Sequence, residues 1–111
     1  MREKNLVGKI IRQLNSVSHC KAIKTHGSIY MEGGTPDIVG CYNGCMFAIE
    51  AKVNGNTLTE LQSHRLEEWK EAGAVVAMAD ETFSVNEFLY RTLRLKGVTY
   101  NGDRCFSQGA H

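Results

Sequence analysis

The apolar positions at the start of the chain predict an amphipathic helix over residues 2–15. Their spacing is i, i+3, i+4 and i+7, which gathers them on one helix face. These positions are Val7, Ile10, Ile11 and Leu14. Glu3 lies one turn before the first of them, so we expect its side chain at the edge of the core.

Three strand-like segments follow, and a hairpin joins the last two. Residues 19–31 suggest a strand that runs into a loop, and residues 37–42 read as a short second strand. Asn43-Gly44, the pair most typical of a two-residue hairpin turn, leads into a third strand over residues 46–53. Alternation gives this strand two faces, with Met46, Ala48, Glu50 and Lys52 on one and Phe47, Ile49, Ala51 and Val53 on the other.

The rest of the pattern predicts a helix, a buried strand and a last helix. The first of these helices starts at Thr57 or Thr59, either of which can cap it. Its inward side chains are Leu58, Leu61, Leu66 and Trp69. Residues 74–79 form a continuous apolar run, as a buried strand does. The Ser84-x-x-Glu87 capping box then opens the last helix.

Together these elements predict an α/β fold in the order α-β-β-β-α-β-α. An antiparallel three-stranded run, a crossover helix and a fourth strand make a mixed α+β sheet with helices on its faces. The length of 111 residues suits one compact domain. We assign residues 1–96 to that domain and expect residues 97–111 to be a polar, flexible C-terminal tail.

Composition narrows the class of protein. The apolar share of 42% and the charged share of 23% are ordinary for a soluble globular domain. No apolar run approaches the roughly 20 residues of a membrane-spanning helix, and the first residues lack the apolar stretch of a secretory signal. We therefore expect a soluble, cytoplasmic protein. Of the four cysteines only Cys41 and Cys45 lie close together, so a zinc site is not indicated and free, buried thiols are expected.

Charge is unevenly distributed, although the net charge is only +1. Residues 1–30 carry six basic residues against one acidic residue, whereas residues 60–87 carry two against seven. A polyanion would therefore meet the N-terminal segment, where the candidate nucleic-acid contacts are Lys21, Lys24 and His26. By itself, however, this distribution is more typical of solvated helix faces.

Three residues of the predicted hairpin carry the candidate chemistry. A tight turn at Asn43-Gly44 sets the pairing so that Asp37 faces Glu50 on the neighbouring strand. Two adjacent carboxylates repel each other unless a cation lies between them, and their hard oxygen donors suit Mg²⁺ or Mn²⁺. Lys52 emerges on the same face, where its ammonium can orient an attacking water or neutralise charge on a phosphate.

Each fragment alone also has an ordinary explanation. A Glu-x-Lys on a strand is commonly a solvated face, and a Pro-Asp is commonly a turn. The predicted pairing favours a functional site over these ordinary explanations, because both carboxylates fall on one partly apolar face of one hairpin. Glu3 from the first helix can approach the same place as a further ligand, and Gln62 from the second helix can reach Lys52 or the water.

Three sequence blocks together resemble one nuclease family. The blocks are Gly34-Thr35-Pro36-Asp37, Phe47 to Lys52, and Leu58 to Gln62. They are similar to the VRR-NUC branch of the PD-(D/E)xK nucleases, whose pattern is a helix-borne Glu, Gly-x-Pro-Asp, Glu-x-Lys and a helix that begins x-x-x-Gln. The resemblance extends from Glu3 to about Leu89 and implies a restriction-endonuclease-like core.

The resemblance also implies roles for the individual residues. It implies that the metal is bound by Asp37, Glu50 and the backbone carbonyl of Ala51, and that Lys52 is the catalytic lysine. The helix glutamate of the family would be Glu3, a further metal ligand, and its glutamine would be Gln62. The expected activity is an endodeoxyribonuclease that hydrolyses phosphodiester bonds with Mg²⁺ or Mn²⁺.

The resemblance also implies a binding partner and an oligomeric state. Free-standing, phage-type members of this family act as homodimers on branched DNA, including four-way junctions. A phage-encoded chain of this kind would work in the host cytoplasm on duplex or branched DNA, without a membrane. Two alternatives stay open: a DNA-binding module of the same fold that does not cleave, and a dimeric scaffold whose acidic hairpin is incidental. The intact set of Asp37, Glu50 and Lys52 argues against the first alternative.

Overall fold

The computed structural model describes residues 1–25, 32–95, 98–101 and 104–107. Its elements are α1 (Glu3–Asn15), β1 (Cys20–Lys24), β2 (Ile38–Tyr42), β3 (Cys45–Ala51), α2 (Glu60–Glu71), β4 (Val75–Ala79), α3 (Val85–Leu95), β5 (Val98–Asn101) and β6 (Arg104–Ser107). The order α-β-β-β-α-β-α up to α3 is therefore confirmed. The end of the first predicted strand, with His26, lies outside the described residues.

The main sheet of the described part has four strands in the spatial order β1-β2-β3-β4. The first two pairings are antiparallel, and β4 pairs parallel to β3 after the crossover through α2. The sheet is therefore mixed, as predicted. The pair β5 and β6 forms a separate antiparallel ladder within residues 97–111, where no element was predicted.

The hairpin between β2 and β3 has the predicted turn and register. Asn43 and Gly44 both have positive φ angles, 49° and 83°, as the two central residues of a type I′ turn require. Opposite Cα partners run from Tyr42 and Cys45 to Ile38 and Ile49. This is the register in which the next pair outward is Asp37 and Glu50.

The main core lies between the sheet and the helices α1 and α3. One face of β3 supplies Phe47, Ile49 and Ala51, which are fully buried. The Phe47 ring meets the Phe88 ring of α3 edge-on, with the centroids 5.5 Å apart. Ala48 and Glu50 on the other face of this central strand are also buried, so both faces of β3 are shielded from water beyond Met46.

Helix α2 contacts β3 and β4 on the face that carries Ala48 and Glu50. Leu66 is its one buried side chain. Leu61, which was expected to point inward, is 46% exposed, so that expectation was wrong. The Leu61 side chain lies against the turn at Gly34, and half of the twelve residues of α2 are charged. No helix in the described part of the chain is long and apolar enough to cross a membrane.

Candidate metal centre

Asp37 and Glu50 lie side by side where β2 begins beside the end of β3. The backbone N–H of Asp37 donates to Oε1 of Glu50 over 3.1 Å. In return, the backbone N–H of Ala51 donates to Oδ2 of Asp37 over 3.0 Å. The two acidic residues are therefore tied to each other through side chain and backbone, as cross-strand neighbours in the predicted register.

Asp37 is also held by Thr25, the residue that follows β1. The backbone N–H of Thr25 donates to the carbonyl of Asp37 over 2.9 Å. The hydroxyl of Thr25 donates to the carbonyl of Pro36 over 2.7 Å, and the Pro36 ring is buried. These contacts fix the backbone on both sides of the Pro36–Asp37 peptide. No sequence signal pointed to Thr25, because its partners lie 11 and 12 residues away.

Glu50 is almost completely buried, with 2% of its surface exposed. Burial is the main reason why its pKa rises from 4.5 to about 8, and the nearby Asp37 carboxylate is the second reason. The hydrogen bond from the Asp37 N–H and the charge of Lys52 act in the opposite direction. The balance favours a protonated Glu50 at neutral pH when no cation is bound.

Lys52 is close enough to Glu50 for its charge to lower the pKa of that carboxyl. Its backbone N–H donates to the carbonyl of Ala79 over 2.9 Å, which continues the contact between β3 and β4. The side chain is half-buried, two positions after Glu50 and on the same side of the strand. Asp37, Glu50 and Lys52 therefore come together at one end of the hairpin.

Gln62 lies on the first turn of α2, where it forms a capping box with Thr59. Its side-chain oxygen accepts from the Thr59 N–H over 3.0 Å, and the Thr59 hydroxyl accepts from the Gln62 N–H over 3.1 Å. Of the two threonines that could cap the helix, Thr59 does so. The amide oxygen of Gln62 is thus used by the helix start, which leaves its amide N–H₂ as the part suited to a further contact.

Glu3 is half-buried on the first turn of α1. Among the described residues there is no group of three or more His, Cys, Asp or Glu side chains that could hold a metal ion. The structure thus brings Asp37 and Glu50 together without Glu3 as a third carboxylate. Lys21 and Lys24 are exposed on β1, and Lys21 lies on the side of the sheet that carries Cys41 and Asp37.

The described cysteines do not add to this site. Cys20 and Cys41 are free thiols, as expected, but of these three cysteines Cys45 alone is buried and Cys41 is exposed. Burial and, to a smaller extent, the nearby Cys41 together raise the pKa of the Cys20 thiol to about 11. Cys20 is therefore a poor thiolate at neutral pH.

The oxygen donors at this place fit a small divalent cation. Two adjacent carboxylates and the carbonyl of Ala51 are hard ligands of the kind that Mg²⁺ and Mn²⁺ prefer. Glu50 is costly to ionise where it is buried, and a cation beside it would offset that cost. Comparisons of the sequence with protein-family models and with curated proteins found no match.

Proposed function

We propose that this chain is a metal-dependent nuclease domain of the PD-(D/E)xK type, similar to the VRR-NUC branch, with a restriction-endonuclease-like core. The observation that carries the proposal is the pair Asp37 and Glu50 on neighbouring strands of one hairpin, with Lys52 beside them. Neither carboxylate has an arginine or lysine salt-bridge partner within 4.0 Å among the described residues.

The charge balance of the site favours this function over a purely structural role. A buried carboxylate next to a second carboxylate costs free energy, and an apolar pair would serve a central strand better. Lys52 offsets the cost only in part, because the pKa of Glu50 still rises to about 8. A bound divalent cation accounts for both carboxylates at once.

Each residue then has a defined task. Asp37, Glu50 and the Ala51 carbonyl would hold Mg²⁺ or Mn²⁺, and Glu3, which the structure does not group with the two carboxylates, would act only through water. When bound, the metal supplies a Lewis acid for the phosphate and lowers the pKa of a water molecule. The ammonium of Lys52 neutralises charge that builds up on the phosphate and orients the attacking water. The amide of Gln62 supports Lys52 or that water.

The proposed substrate is DNA, branched or duplex. Lys21 lies on the same side of the sheet as Asp37 and supplies positive charge toward a phosphate backbone. One domain presents one centre, and paired cuts in a four-way junction need two centres in opposed orientation, so we propose a two-fold homodimer. Light scattering at micromolar concentration, with and without DNA, tests the dimer. A strict monomer that still makes paired cuts would contradict it.

Cleavage assays test the activity. Linear, nicked and four-way DNA of one sequence are incubated with the protein in Mg²⁺, Mn²⁺ or EDTA, and single-stranded RNA is included as a second polymer. We expect cleavage with either metal, none in EDTA, and the highest rate on the branched DNA. The Glu50→Gln variant controls for contaminating nuclease, and Glu71→Gln is its matched control on the exposed surface of α2. DNA binding without cleavage would favour the non-cleaving module, and neither binding nor cleavage would favour the scaffold.

A further inference from the structure

Arg65 of α2 is attached to the segment that precedes Asp37. Its Nε donates to the carbonyl of Gly33 over 3.0 Å. Its Nη1 donates to Glu68 over 2.9 Å and lies 3.6 Å from Glu32. Only 20% of the Arg65 side chain is exposed. The planar, forked guanidinium therefore links the exposed carboxylates of Glu32 and Glu68 to the backbone carbonyl of Gly33.

The attached segment is a tight turn from Glu32 to Thr35. The hydroxyl of Thr35 donates to the carbonyl of Glu32 over 2.6 Å. Gly34 adopts a φ of +78°, and a Cβ at this position would lie 2.8 Å from Cγ of Leu61 and 3.2 Å from Cγ of Arg65. The turn thus lies directly on the surface of α2, with a glycine where a side chain would push it away.

A short, well-fixed stretch of backbone connects this turn to the site. Pro36 follows Thr35 immediately, its ring is buried and its φ angle is restricted. The Thr25 hydroxyl binds the carbonyl of Pro36. A displacement of the turn would therefore strain the backbone within two residues of Asp37, against the two contacts of Thr25, and so act on the hydrogen bond between Asp37 and the Ala51 N–H.

We propose that Arg65 is a positioning residue for Asp37. By fixing the Glu32–Thr35 turn on α2, it sets the placement of the Asp37 carboxylate without touching it. Its effect on metal binding rests on the proposed function, whereas its effect on the Asp37 carboxylate does not. Sequence patterns alone gave no indication of this role, because an arginine beside glutamates on an acidic helix is ordinary.

Hydrogen exchange in the metal-free protein tests the positioning directly. The Ala51 N–H is protected by the Asp37 side chain, whereas the adjacent Lys52 N–H is protected by the Ala79 carbonyl. Arg65→Met keeps the packing of the side-chain stem over Gly34 and removes the hydrogen bonds. We expect the Ala51 amide to exchange about tenfold faster in this variant while the Lys52 amide is unchanged. Unchanged exchange at Ala51, or equal acceleration at both amides, would overturn the positioning role.

Binding of Mn²⁺ is the second readout. We expect Arg65→Met to weaken Mn²⁺ affinity by about tenfold, as loss of a group that orients a ligand does. Lys70→Met, which removes a charge from the same helix, should leave affinity unchanged, and both variants should melt within a few degrees of the wild type. If the wild type does not bind Mn²⁺, the proposed function fails, and the exchange of Ala51 still decides the role of Arg65.

Two more variants test the cause of the change in exchange at Ala51. The first separates the hydrogen bonds of Arg65 from its charge, and the second tests the position of the turn. Arg65→Lys keeps the charge but cannot donate to Gly33 and Glu68 in the same forked geometry, so we expect most of the loss to persist. Wild-type exchange in Arg65→Lys would overturn the hydrogen-bond role. Gly34→Ala keeps the Arg65 guanidinium but places a methyl group against Leu61 and the Arg65 stem, which displaces the turn from α2, and it should accelerate exchange at Ala51 in the same way. Wild-type protection in this variant would show that the turn does not set Asp37.

Discussion

Glu50 accepts a hydrogen bond from the backbone N–H of Asp37, 3.1 Å away, and so lies beside a second carboxyl group. This contact favours the ionised form of Glu50, and burial together with the Asp37 charge opposes it more strongly. Without a positive charge nearby, ionisation of both carboxyl groups in this arrangement therefore costs free energy.

Divalent metal should raise the melting temperature of the wild type. An ion that binds only the folded state stabilises it by about 2.7 kcal/mol at a concentration one hundred times its dissociation constant. Differential scanning calorimetry with Mn²⁺ and with EDTA measures the shift. The double variant Asp37→Asn, Glu50→Gln should show none, and an equal shift in both proteins would place the ion elsewhere.

Without metal, stability should fall as the pH rises from about 4.5 to about 8. The unfolded chain releases the Glu50 proton near the ordinary value, and the folded chain holds it up to about 8, so the folded state binds more protons in this range. The free energy of unfolding then decreases with a slope approaching about 1.4 kcal/mol per pH unit. Urea titrations at several pH values measure it. Glu50→Gln should remove this slope, and an unchanged slope in that variant would assign it to another group.

Isosteric changes at the centre should abolish cleavage and preserve the fold. Asp37→Asn, Glu50→Gln and Lys52→Met should each lower kcat by about 100-fold or more, because each removes a charge that acts on the metal or the phosphate. Circular dichroism checks the fold, and Glu71→Gln is the surface control. Without metal, Glu50→Gln should be at least as stable as the wild type at pH 8, since it removes a repulsive charge. If any of the three variants cleaves at the wild-type rate, the substituted residue has no role in catalysis.

DNA binding should weaken steeply with salt, because phosphate contacts release counterions. Lys21 lies on the side of β1 that faces the same way as Asp37, whereas Lys24 alternates to the other side. Lys21→Ala should therefore flatten the plot of log K against log salt by about 0.9 per lost contact, and Lys24→Ala should change it less. Fluorescence anisotropy measures both, with Lys70→Ala as the control. The reverse ranking would move the DNA to the opposite side of the sheet.

The element order could be predicted because local rules dominate it. The i, i+3, i+4 spacing of α1 and the Asn43-Gly44 turn each act within a few residues, and the structure has both. The turn also fixed the pairing, since the register of a two-residue hairpin follows from its turn. The adjacency of Asp37 and Glu50 was therefore available from the sequence.

The prediction failed where burial was inferred from helical spacing alone. Leu61 fits the apolar side of α2 by spacing, yet it is 46% exposed. Helical periodicity identifies a face but does not say how much of that face the sheet covers. Similarly, the tail gave no strong pattern, and the strands β5 and β6 pair only with each other in the described part of the chain.

What the sequence determined by itself is the order of the elements, the hairpin register and the set of Asp37, Glu50 and Lys52 at its end. Only the tertiary structure decided how far Glu50 is buried, which sets its pKa, and which distant groups hold Asp37. The hydrogen bonds from Thr25 to Asp37 and from Arg65 to Gly33 span 12 and 32 positions of sequence, and hydrogen bonds over such separations leave no periodic trace. Periodicity encodes the faces of helices and strands, whereas burial depends on how those faces are covered by elements far along the chain.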